Sequence, residues 1–319
     1  MNQLLYFPGD MAVTNQFIGI EGGGTKFVCV YGSSPTNLHD RTVIKTQKPD
    51  VTMKEVIEYI RFAQKKTDIK AIGLAIFGPL DLDLTSNTYG YITTAAKPGW
   101  EHYHVVDALK SAFNLPIGLD TDVNGSAIGE HRWGAGKGLS DFLYLTIGTG
   151  IGGGAVIGGE LLHGASHPEM GHMLVPQNKR LDPDFEGVCA YHKNCLESLA
   201  SGPSMKTRWK VNSALDLPPD HKAWDLEAHY LAVGLTNYML TLAPKRIIMG
   251  GGVMRQAHLL PKIHREIAVC LNGYLKDDKI MQHLDSYIVP PGLGEDSGIC
   301  GAIALAEKSF LLAEKMQGR

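Results

Sequence analysis

A strand–glycine–strand unit occurs twice in this chain and constrains its fold more than any other feature. In the first copy, glycines and Thr25 separate the apolar runs Phe17–Ile20 and Phe27–Val30. In the second copy, glycines and Thr149 follow the run Asp141–Ile147. Apolar runs bounded by glycines predict β-strands joined by tight turns. Two such hairpins, about one domain apart, are the arrangement that a duplicated phosphate clamp between two domains would require.

The chain is long enough for two domains. It has 319 residues, of which 44% are hydrophobic, and it exceeds the size at which one hydrophobic core usually divides. The formal charge of -3 provides no basic surplus for nucleic acid. No apolar stretch approaches the roughly 18 residues that span a bilayer. Three of the five cysteines lie in apolar strings, which is typical of a reducing cytoplasm. The composition therefore predicts a cytoplasmic protein without nucleic-acid or membrane partners.

Residues 1–16 show no hydrophobic period. They also lack the basic start, the apolar core and the small-residue cleavage site of a signal peptide. We interpret them as an extension or a remnant of cloning and exclude them from the predicted fold.

The glycine loops are candidates for binding nucleotide phosphates. Glycine lets the backbone approach a ligand and point its N–H groups at it, and a threonine hydroxyl adds a donor. A third loop follows the predicted strand Arg246–Met249 and could cradle phosphates or ribose. One glycine run alone is more often a turn, and none of the three is a P-loop or a dinucleotide fingerprint. The repetition favours a binding role for Gly23, Gly24, Thr25, Lys26, Gly148, Thr149, Gly150, Gly250, Gly251 and Gly252.

Four potential metal ligands lie in one polar part of the sequence. Cys189, His192 and Cys195 follow one another at three-residue steps, and His172 precedes them. Two thiolates and two imidazoles form the ligand set of a tetrahedral structural zinc. Packing is the alternative, because cysteine is often buried and most histidines bind nothing, but the segment is polar and lacks a hydrophobic period. Four protein ligands would leave no position for a catalytic water, so the predicted Zn²⁺ is structural.

A candidate catalytic carboxylate follows a predicted strand. Leu115–Asp120 reads as a strand, Thr121–Asn124 stands at its end, and a helical pattern runs from Gly125 to Glu130. Functional groups usually lie at strand ends in α/β sheets, and phosphoryl transfer needs a base to accept the proton of the attacking hydroxyl. Asp122 is the candidate base. Helix capping is the alternative for both Asp120 and Asp122, and we assign Asp120 a structural role.

These motifs together resemble the ROK family, a group of sugar kinases and repressors on the actin-like ATPase fold. The resemblance covers about residues 17–310 and is carried by Glu21–Lys26, Asp122–Asn124, Glu169–His172, Cys189–Cys195, Leu196–Glu197 and Gly250–Gly252. Within the family, the chain is most similar to the bacterial zinc-containing fructokinases. They share its sequence motifs at Phe77–Pro79, Tyr89–Ile92, Lys97–Trp100 and Leu199–Pro203.

The sequence departs from common ROK patterns at three positions. Glu21 replaces the aspartate of many members, Thr121 replaces the asparagine common in glucokinases, and His192 replaces a further cysteine. We interpret Glu21 and His192 as features of the fructokinase-like branch.

The resemblance implies an α/β fold of two actin-like ATPase (ribonuclease H-like) domains with an interdomain cleft. We expect a small domain at 17–124, to which the C-terminal helix 297–319 returns. A large domain at 125–296 would carry the zinc loop.

The resemblance also implies an ATP-dependent kinase that phosphorylates the 6-hydroxyl of D-fructose, with Mg²⁺ and ATP, a structural Zn²⁺ and a homodimeric state. Asp122 matches the family's catalytic aspartate. Sugar hydroxyls would contact Asn124, Glu169, His172, Glu197, Gly78 and Pro79. A solvated surface position is the alternative for the two glutamates.

Other functions within and outside this class stay open. A mannokinase or an N-acetylmannosamine kinase of the same family would carry the same motifs. A sugar-responsive regulator would carry a helix-turn-helix domain ahead of the first glycine loop, and that loop begins at Gly22. A sugar-binding module without catalysis is a further alternative.

Overall fold

The structure is a computed structural model that describes residues 15–94, 97–275 and 278–317. Of the predicted N-terminal extension, residues 1–14 lie outside the described residues, and Gln16 already begins the first strand. Within the described ranges, no helix is both long and apolar enough to cross a membrane.

Helices and strands are distributed along the whole described chain. The first half contains β1 (Gln16–Gly22), β2 (Lys26–Ser34), β3 (Asn37–Lys45), α1 (Pro49–Gln64), β4 (Ile69–Ile76), α2 (Val105–Lys110), β5 (Ile117–Thr121), α3 (Asp122–Trp133), β6 (Phe142–Ile147), β7 (Ile151–Ile157) and β8 (Glu160–Leu161). The second half contains α4 (Leu196–Ala200), α5 (Gly202–Trp209), α6 (Ala223–Leu242), β9 (Ile247–Gly250), α7 (Leu259–Leu271), α8 (Asp278–Met281), α9 (Leu284–Tyr287), β10 (Ile288–Val289) and α10 (Ser297–Gln317).

The chain divides into two compact units. The first unit contains the chain up to Leu139, Gly154–Pro168 and the chain from Gly292 onward. The second unit contains Ser140–Gly153 and Glu169–Pro291.

The first unit is built on a five-stranded sheet with the order β3-β2-β1-β4-β5. Strands β1, β4 and β5 are parallel, whereas β2 and β3 are antiparallel to their neighbours. Gly22 at the end of β1 pairs with Ile76, and Ile76 pairs with Thr121 at the end of β5. Three chain segments therefore emerge at one edge of this sheet, namely the first glycine loop, Phe77–Pro79 and the start of α3.

Helix α10 covers one face of this sheet and also packs on α3. The contact between the two helices is backbone to backbone, because a Cβ atom added at Gly301 would lie 1.7 Å from the carbonyl oxygen of Gly125. Glycine is required at this crossing, since any side chain would force the helices apart. The crossing fixes the N-terminal turn of α3 against the sheet.

A second five-stranded sheet has the order β10-β9-β6-β7-β8. Strands β6, β9 and β10 are parallel, and β7 and β8 are antiparallel. The boundary between the two units falls within β7, between Gly153 and Gly154. Two five-stranded sheets with flanking helices confirm the predicted α/β class.

The unit boundaries differ from the domain limits expected at 124/125 and 296/297. All of α3 lies in the first unit, as do Gly154–Pro168 and the segment from Gly292. Helix α3 and the segment from Gly292 belong to one unit partly because of Glu130, a buried residue near the end of α3. The carboxylate of Glu130 accepts the N–H groups of Gly292 at 2.9 Å and Leu293 at 3.0 Å. These bonds connect α3 to the segment that leads into α10, which a local sequence pattern does not reveal.

Candidate catalytic and metal-binding residues

Helix α3 begins directly at the end of strand β5. Its first residue is Asp122, three positions earlier than the predicted start at Gly125. Thr121 is the N-cap, and its hydroxyl oxygen accepts the N–H of Asn124 at 3.2 Å. The capping role considered for Asp120 and Asp122 therefore belongs to Thr121. Asp122 stays partly exposed, with Oδ1 accepting the adjacent N–H of Val123 at 2.9 Å.

Asp120 is the buried centre of a polar cluster beneath this turn. Its Oδ1 accepts the N–H of Thr121 at 2.8 Å and the side-chain amide of Asn124 at 2.7 Å. Its Oδ2 lies 3.0 Å from Nε2 of His163. The structural role assigned to Asp120 agrees with these contacts. His163 was not singled out in the sequence, because nothing near it in the chain indicates that it reaches β5.

Glu21 places a second carboxyl group at the same edge of the first sheet. Burial, followed by the negative charge of Asp122, raises the pKa of Glu21 to about 7. The cations Lys26 and Arg41 oppose this shift. The carboxyl group also lies against the start of α10, since a Cβ added at Gly298 would be 2.5 Å from its Oε1. Glu21 and Asp122 are therefore electrostatically coupled.

The Gly78-Pro79 segment, predicted to contact sugar, is held by a second histidine that the sequence did not indicate. The peptide bond between these two residues is cis. The N–H of the next residue, Leu80, donates to Nε2 of buried His167 at 3.0 Å. Because Nε2 accepts this bond, the ring is held in the tautomer that carries its proton on Nδ1.

The first glycine loop is a hairpin turn between β1 and β2, as predicted. Gly23 donates its N–H to the carbonyl oxygen of Lys26 at 2.8 Å. Thr46 makes two hydrogen bonds to the loop. Its hydroxyl donates to the carbonyl oxygen of Gly23 at 2.7 Å, and its N–H donates to the carbonyl oxygen of Thr25 at 3.0 Å. Gly24 and Thr25 are exposed, so a ligand can reach the tip of the turn.

The second and third glycine loops lie side by side because β6 pairs with β9. Thr146 is opposite Gly250 in this pairing. Gly251 has a φ of +93°, and a Cβ there would lie 2.4 Å from the carbonyl oxygen of Ile147. Glycine is therefore required for both the backbone conformation and the close approach. Within the second loop, the N–H of Gly148 donates to the carbonyl oxygen of Gly150 at 2.8 Å.

Glu197 contacts the second glycine loop through its carboxylate. Oε2 accepts the N–H of Ile151 at 2.9 Å, and a Cβ added at Gly150 would lie 2.5 Å from the same oxygen. One carboxylate oxygen thus has a structural partner within the protein. The sequence indicated only a sugar contact for Glu197, because nothing in the chain near Glu197 points to Ile151.

The four predicted metal ligands converge in the second unit. Their ligand atoms all lie within 4.8 Å of one another. Nδ1 of His172 is 3.7 Å from Sγ of both Cys189 and Cys195, and Nδ1 of His192 is 4.0 Å from Sγ of Cys189. A tetrahedral zinc with the usual bond lengths would separate a sulfur and a nitrogen ligand by about 3.6 Å. The donor set and its spacing therefore fit zinc.

Backbone pairing brings these ligands together. Leu174 forms an antiparallel bridge with Cys195, which places His172 beside the C-terminal end of the cysteine segment. The thiols also accept backbone N–H groups, from His192 to Cys189 and from Ser198 to Cys195, both at 3.4 Å.

Burial raises the pKa of Cys195 to about 11. A metal bound as a thiolate complex would displace this proton, so metal affinity should fall as the pH falls.

The predicted site residues fall into both units. The first unit contains Gly23, Gly24, Thr25, Lys26, Gly78, Pro79, Asp122 and Asn124. The second unit contains Gly148, Thr149, Gly150, Glu169, His172, Cys189, His192, Cys195, Glu197, Gly250, Gly251 and Gly252. Glu169 is exposed, and its carbonyl oxygen accepts the N–H of His172 at 3.0 Å.

Comparisons with known proteins identify the family to which this chain is similar. A model of the ROK family matches residues 17–309. A fructokinase of Pediococcus pentosaceus is 41% identical over 291 residues, which cover 91% of this chain and 97% of that protein. A fructokinase of Zymomonas mobilis is 40% identical over 290 residues, covering 90% and 95%.

A solved structure shows the same fold. The ROK hexokinase of Thermus thermophilus is 26% identical, with a TM-score of 0.74 over 94% of this chain and 99% of that chain. The predicted actin-like ATPase fold is thereby confirmed.

Proposed function

This chain belongs to the ROK family, and on that premise we propose that it is an ATP-dependent fructokinase acting on the 6-hydroxyl of D-fructose. The observation that carries the proposal is the 40–41% identity to two fructokinases over at least 90% of the chain. The general activity, ATP-dependent phosphorylation of a sugar, follows from the same relatives and from the ROK hexokinase.

Asp122 is proposed as the general base. It is partly exposed at the end of β5, where a hydroxyl group can reach its carboxylate. The oxygen of the sugar hydroxyl attacks the γ-phosphorus of ATP, the bond to the β-phosphate oxygen breaks, and the proton passes to Asp122. ADP and the sugar phosphate leave, and Asp122 returns its proton to solvent.

The glycine loops are proposed to hold ATP. Thr25 and Thr149 would donate their hydroxyls to phosphate oxygens, together with N–H groups of both turns. Loop residues Gly250–Gly252 would lie against the nucleotide, since their lack of side chains lets a ligand approach the backbone. Mg²⁺ supplies charge neutralisation on the β- and γ-phosphate oxygens when it is bound.

The residues that the sequence assigned to the sugar are proposed to bind it. Asn124, Gly78 and Pro79 would contact the sugar, and Glu169 and Glu197 would accept hydrogens from its hydroxyl groups. Since Oε2 of Glu197 already accepts the N–H of Ile151, its Oε1 is the oxygen that we assign to the sugar.

The cysteine and histidine cluster is proposed to bind one structural Zn²⁺ through His172, Cys189, His192 and Cys195. Glu197 is two residues beyond Cys195 and lies in the first turn of α4, for which Cys195 is the N-cap. A metal that fixes Cys195 would therefore also fix Glu197, and His172 would fix the adjacent Glu169 in the same way.

We further propose that the protein is a cytoplasmic homodimer. Unpaired thiols support the compartment, because all five cysteines are free. Light scattering coupled to size-exclusion chromatography tests the oligomeric state.

A kinase assay over a panel of sugars tests the proposed function. Fructose, mannose, glucose and N-acetylmannosamine are each supplied with ATP and Mg²⁺, and phosphorus NMR identifies the phosphorylated hydroxyl. We expect the highest kcat/KM with fructose and a 6-phosphate product. A higher kcat/KM with mannose or N-acetylmannosamine would support the alternative kinases. Sugar binding without turnover would support a binding module or a regulator.

A further inference from the structure

His163 reaches the catalytic strand end from a distant part of the chain. It follows β8 by two residues, and its side chain is 37% exposed, whereas the side chain of Asp120 is 6% exposed. Nε2 of His163 lies 3.0 Å from Oδ2 of Asp120 and 3.3 Å from Oδ1. The same nitrogen is 3.3 Å from the side-chain nitrogen of Asn124. One imidazole thus caps the open side of a buried carboxylate.

The carboxylate of Asp120 determines how Asn124 is oriented. It accepts the amide nitrogen of Asn124 at 2.7 Å. The amide oxygen of Asn124 is buried and has no hydrogen-bond partner in the described part of the chain. A rotated amide would present that oxygen to Asp120, which cannot donate when ionised. The orientation of Asn124 therefore depends on Asp120 remaining ionised.

A buried carboxylate stays ionised only when donors or a cation compensate its lost hydration. Two neutral donors contact Asp120, the N–H of Thr121 and the amide of Asn124. Protonated His163 adds the positive charge. Loss of that charge would weaken the contacts that hold Thr121 and Asn124, the residues on either side of Asp122–Val123.

We infer that His163 is a positioning residue for sugar binding, acting through Asp120 on the amide of Asn124 and on the turn that carries Asp122. The inference rests on the proposed function, because it assigns Asn124 to the sugar and Asp122 to proton transfer. His163 itself is not a catalytic residue.

The charges around His163 determine how this pair depends on pH. The hydrogen bond to Asp120 raises the pKa of His163, burial and the cation Lys308 lower it, and the net direction is upward. Tyr89 also faces the cluster, and burial followed by the charge of Asp120 raises its pKa. Because the folded-state pKa of His163 is raised, the ion pair is fully present below the ordinary histidine pKa of about 6.5. It is lost as the pH rises through the folded-state pKa.

Two substitutions separate charge from packing at this position. His163→Leu removes both the charge and the N–H donor, whereas His163→Gln keeps an amide donor without a titratable charge. His39→Gln is the matched control, because His39 is exposed on β3 and lies outside the cluster. We expect His163→Leu to raise the KM for fructose roughly tenfold while kcat changes less than about threefold, the size of one lost charged hydrogen bond.

We expect His163→Gln to keep KM within about threefold of wild type at pH 7, as an exchange of one donor for another. The KM of wild type should rise as the pH increases through the pKa of His163, and His163→Gln should not show this rise. His39→Gln should behave as wild type throughout. Unchanged KM and an unchanged pH profile in both His163 variants would overturn the inference.

NMR titration of the imidazole tests the ion pair without any enzyme assay. In wild type, His163 should titrate above the ordinary value of about 6.5, and Asp120→Asn should return it toward that value. An unshifted His163 in wild type would overturn the inference. If wild type does not phosphorylate fructose, the proposed function fails, and the titration still decides whether Asp120 and His163 are paired.

Discussion

The metal-ligand cluster of the second unit and the carboxylate cluster of the first unit are held together by different forces. In the metal-ligand cluster, two thiols and two imidazoles converge, and their ligand atoms all lie within 4.8 Å of one another. In the carboxylate cluster, Asp120 is satisfied by protein donors, and Glu21 and Asp122 repel each other. We propose that a cation completes the first cluster, whereas strand register and N–H groups complete the second.

This difference predicts how each region responds to damage. Removing one of the four proposed metal ligands should weaken metal binding and loosen the loop, because the bond from that side chain to the proposed ion is lost. Removing a carboxyl group should leave the fold intact and change proton transfer or pH dependence, since the sheet holds the backbone in place.

The largest expected effect is at Asp122. Asp122→Asn should lower kcat by roughly 10²–10⁴, the usual contribution of a positioned base, and leave sugar affinity near that of wild type. Steady-state kinetics with fructose and calorimetric sugar binding measure the two quantities. Asp68→Asn is the control, because Asp68 is exposed and pairs only locally with Lys70 at 2.6 Å. If Asp122→Asn kept half of the wild-type turnover, the role of base would have to be given up.

The next effect concerns the metal. Cys189→Ser should lower zinc affinity by more than the roughly 10–100-fold that loss of an outer-shell partner causes. The KM for sugar should rise first, because Glu169 and Glu197 would no longer be held. Elemental analysis of the purified protein gives the metal content. Cys270→Ser is the control and should retain the metal, because Cys270 is half-buried and lies outside the cluster. A fully active wild-type protein without zinc would contradict the assignment.

A smaller effect is expected on stability at Glu21. Its folded-state pKa of about 7 lies above the ordinary 4.5, so its stabilising contribution is present below pH 4.5 and is lost as the pH rises to about 7. Glu21→Gln should therefore be more stable relative to wild type at pH 8 than at pH 5, by on the order of 1–3 kcal/mol. Denaturant unfolding without nucleotide measures the difference. Glu55→Gln, at an exposed position of α1, serves as the control. An equal difference at both pH values for Glu21→Gln would contradict the raised pKa of Glu21.

The smallest effect is at the glycine loops. Thr25→Ala and Thr149→Ala should each weaken ATP binding roughly threefold to tenfold, as one hydrogen bond would, and leave sugar affinity unchanged. Nucleotide titration of each variant measures the effect. Thr36→Ala, in an exposed turn between β2 and β3, serves as the control. Unchanged ATP affinity in both loop variants would contradict a duplicated phosphate clamp.

Features that depend on neighbouring residues could be predicted from the amino-acid sequence alone. The hairpins around the first two glycine loops were predictable because apolar runs and glycines specify strand and turn locally. The cluster of four potential metal ligands was predictable because their residue types are unusual in a polar segment, and three of them lie within seven positions. The α/β class followed from the same local patterns.

Contacts between residues that are distant in the chain became visible in the folded structure. His163 meets Asp120, His167 meets Leu80, and Glu197 meets Ile151 across long stretches of chain. Helix α3 starts at Asp122 because Thr121 caps it, although Asp120 and Asp122 have the stronger local preference for that role. Such contacts arise from sheet register and helix packing, and the physical reason that sequence misses them is that a hydrogen bond between distant residues leaves no periodic or compositional trace at either end.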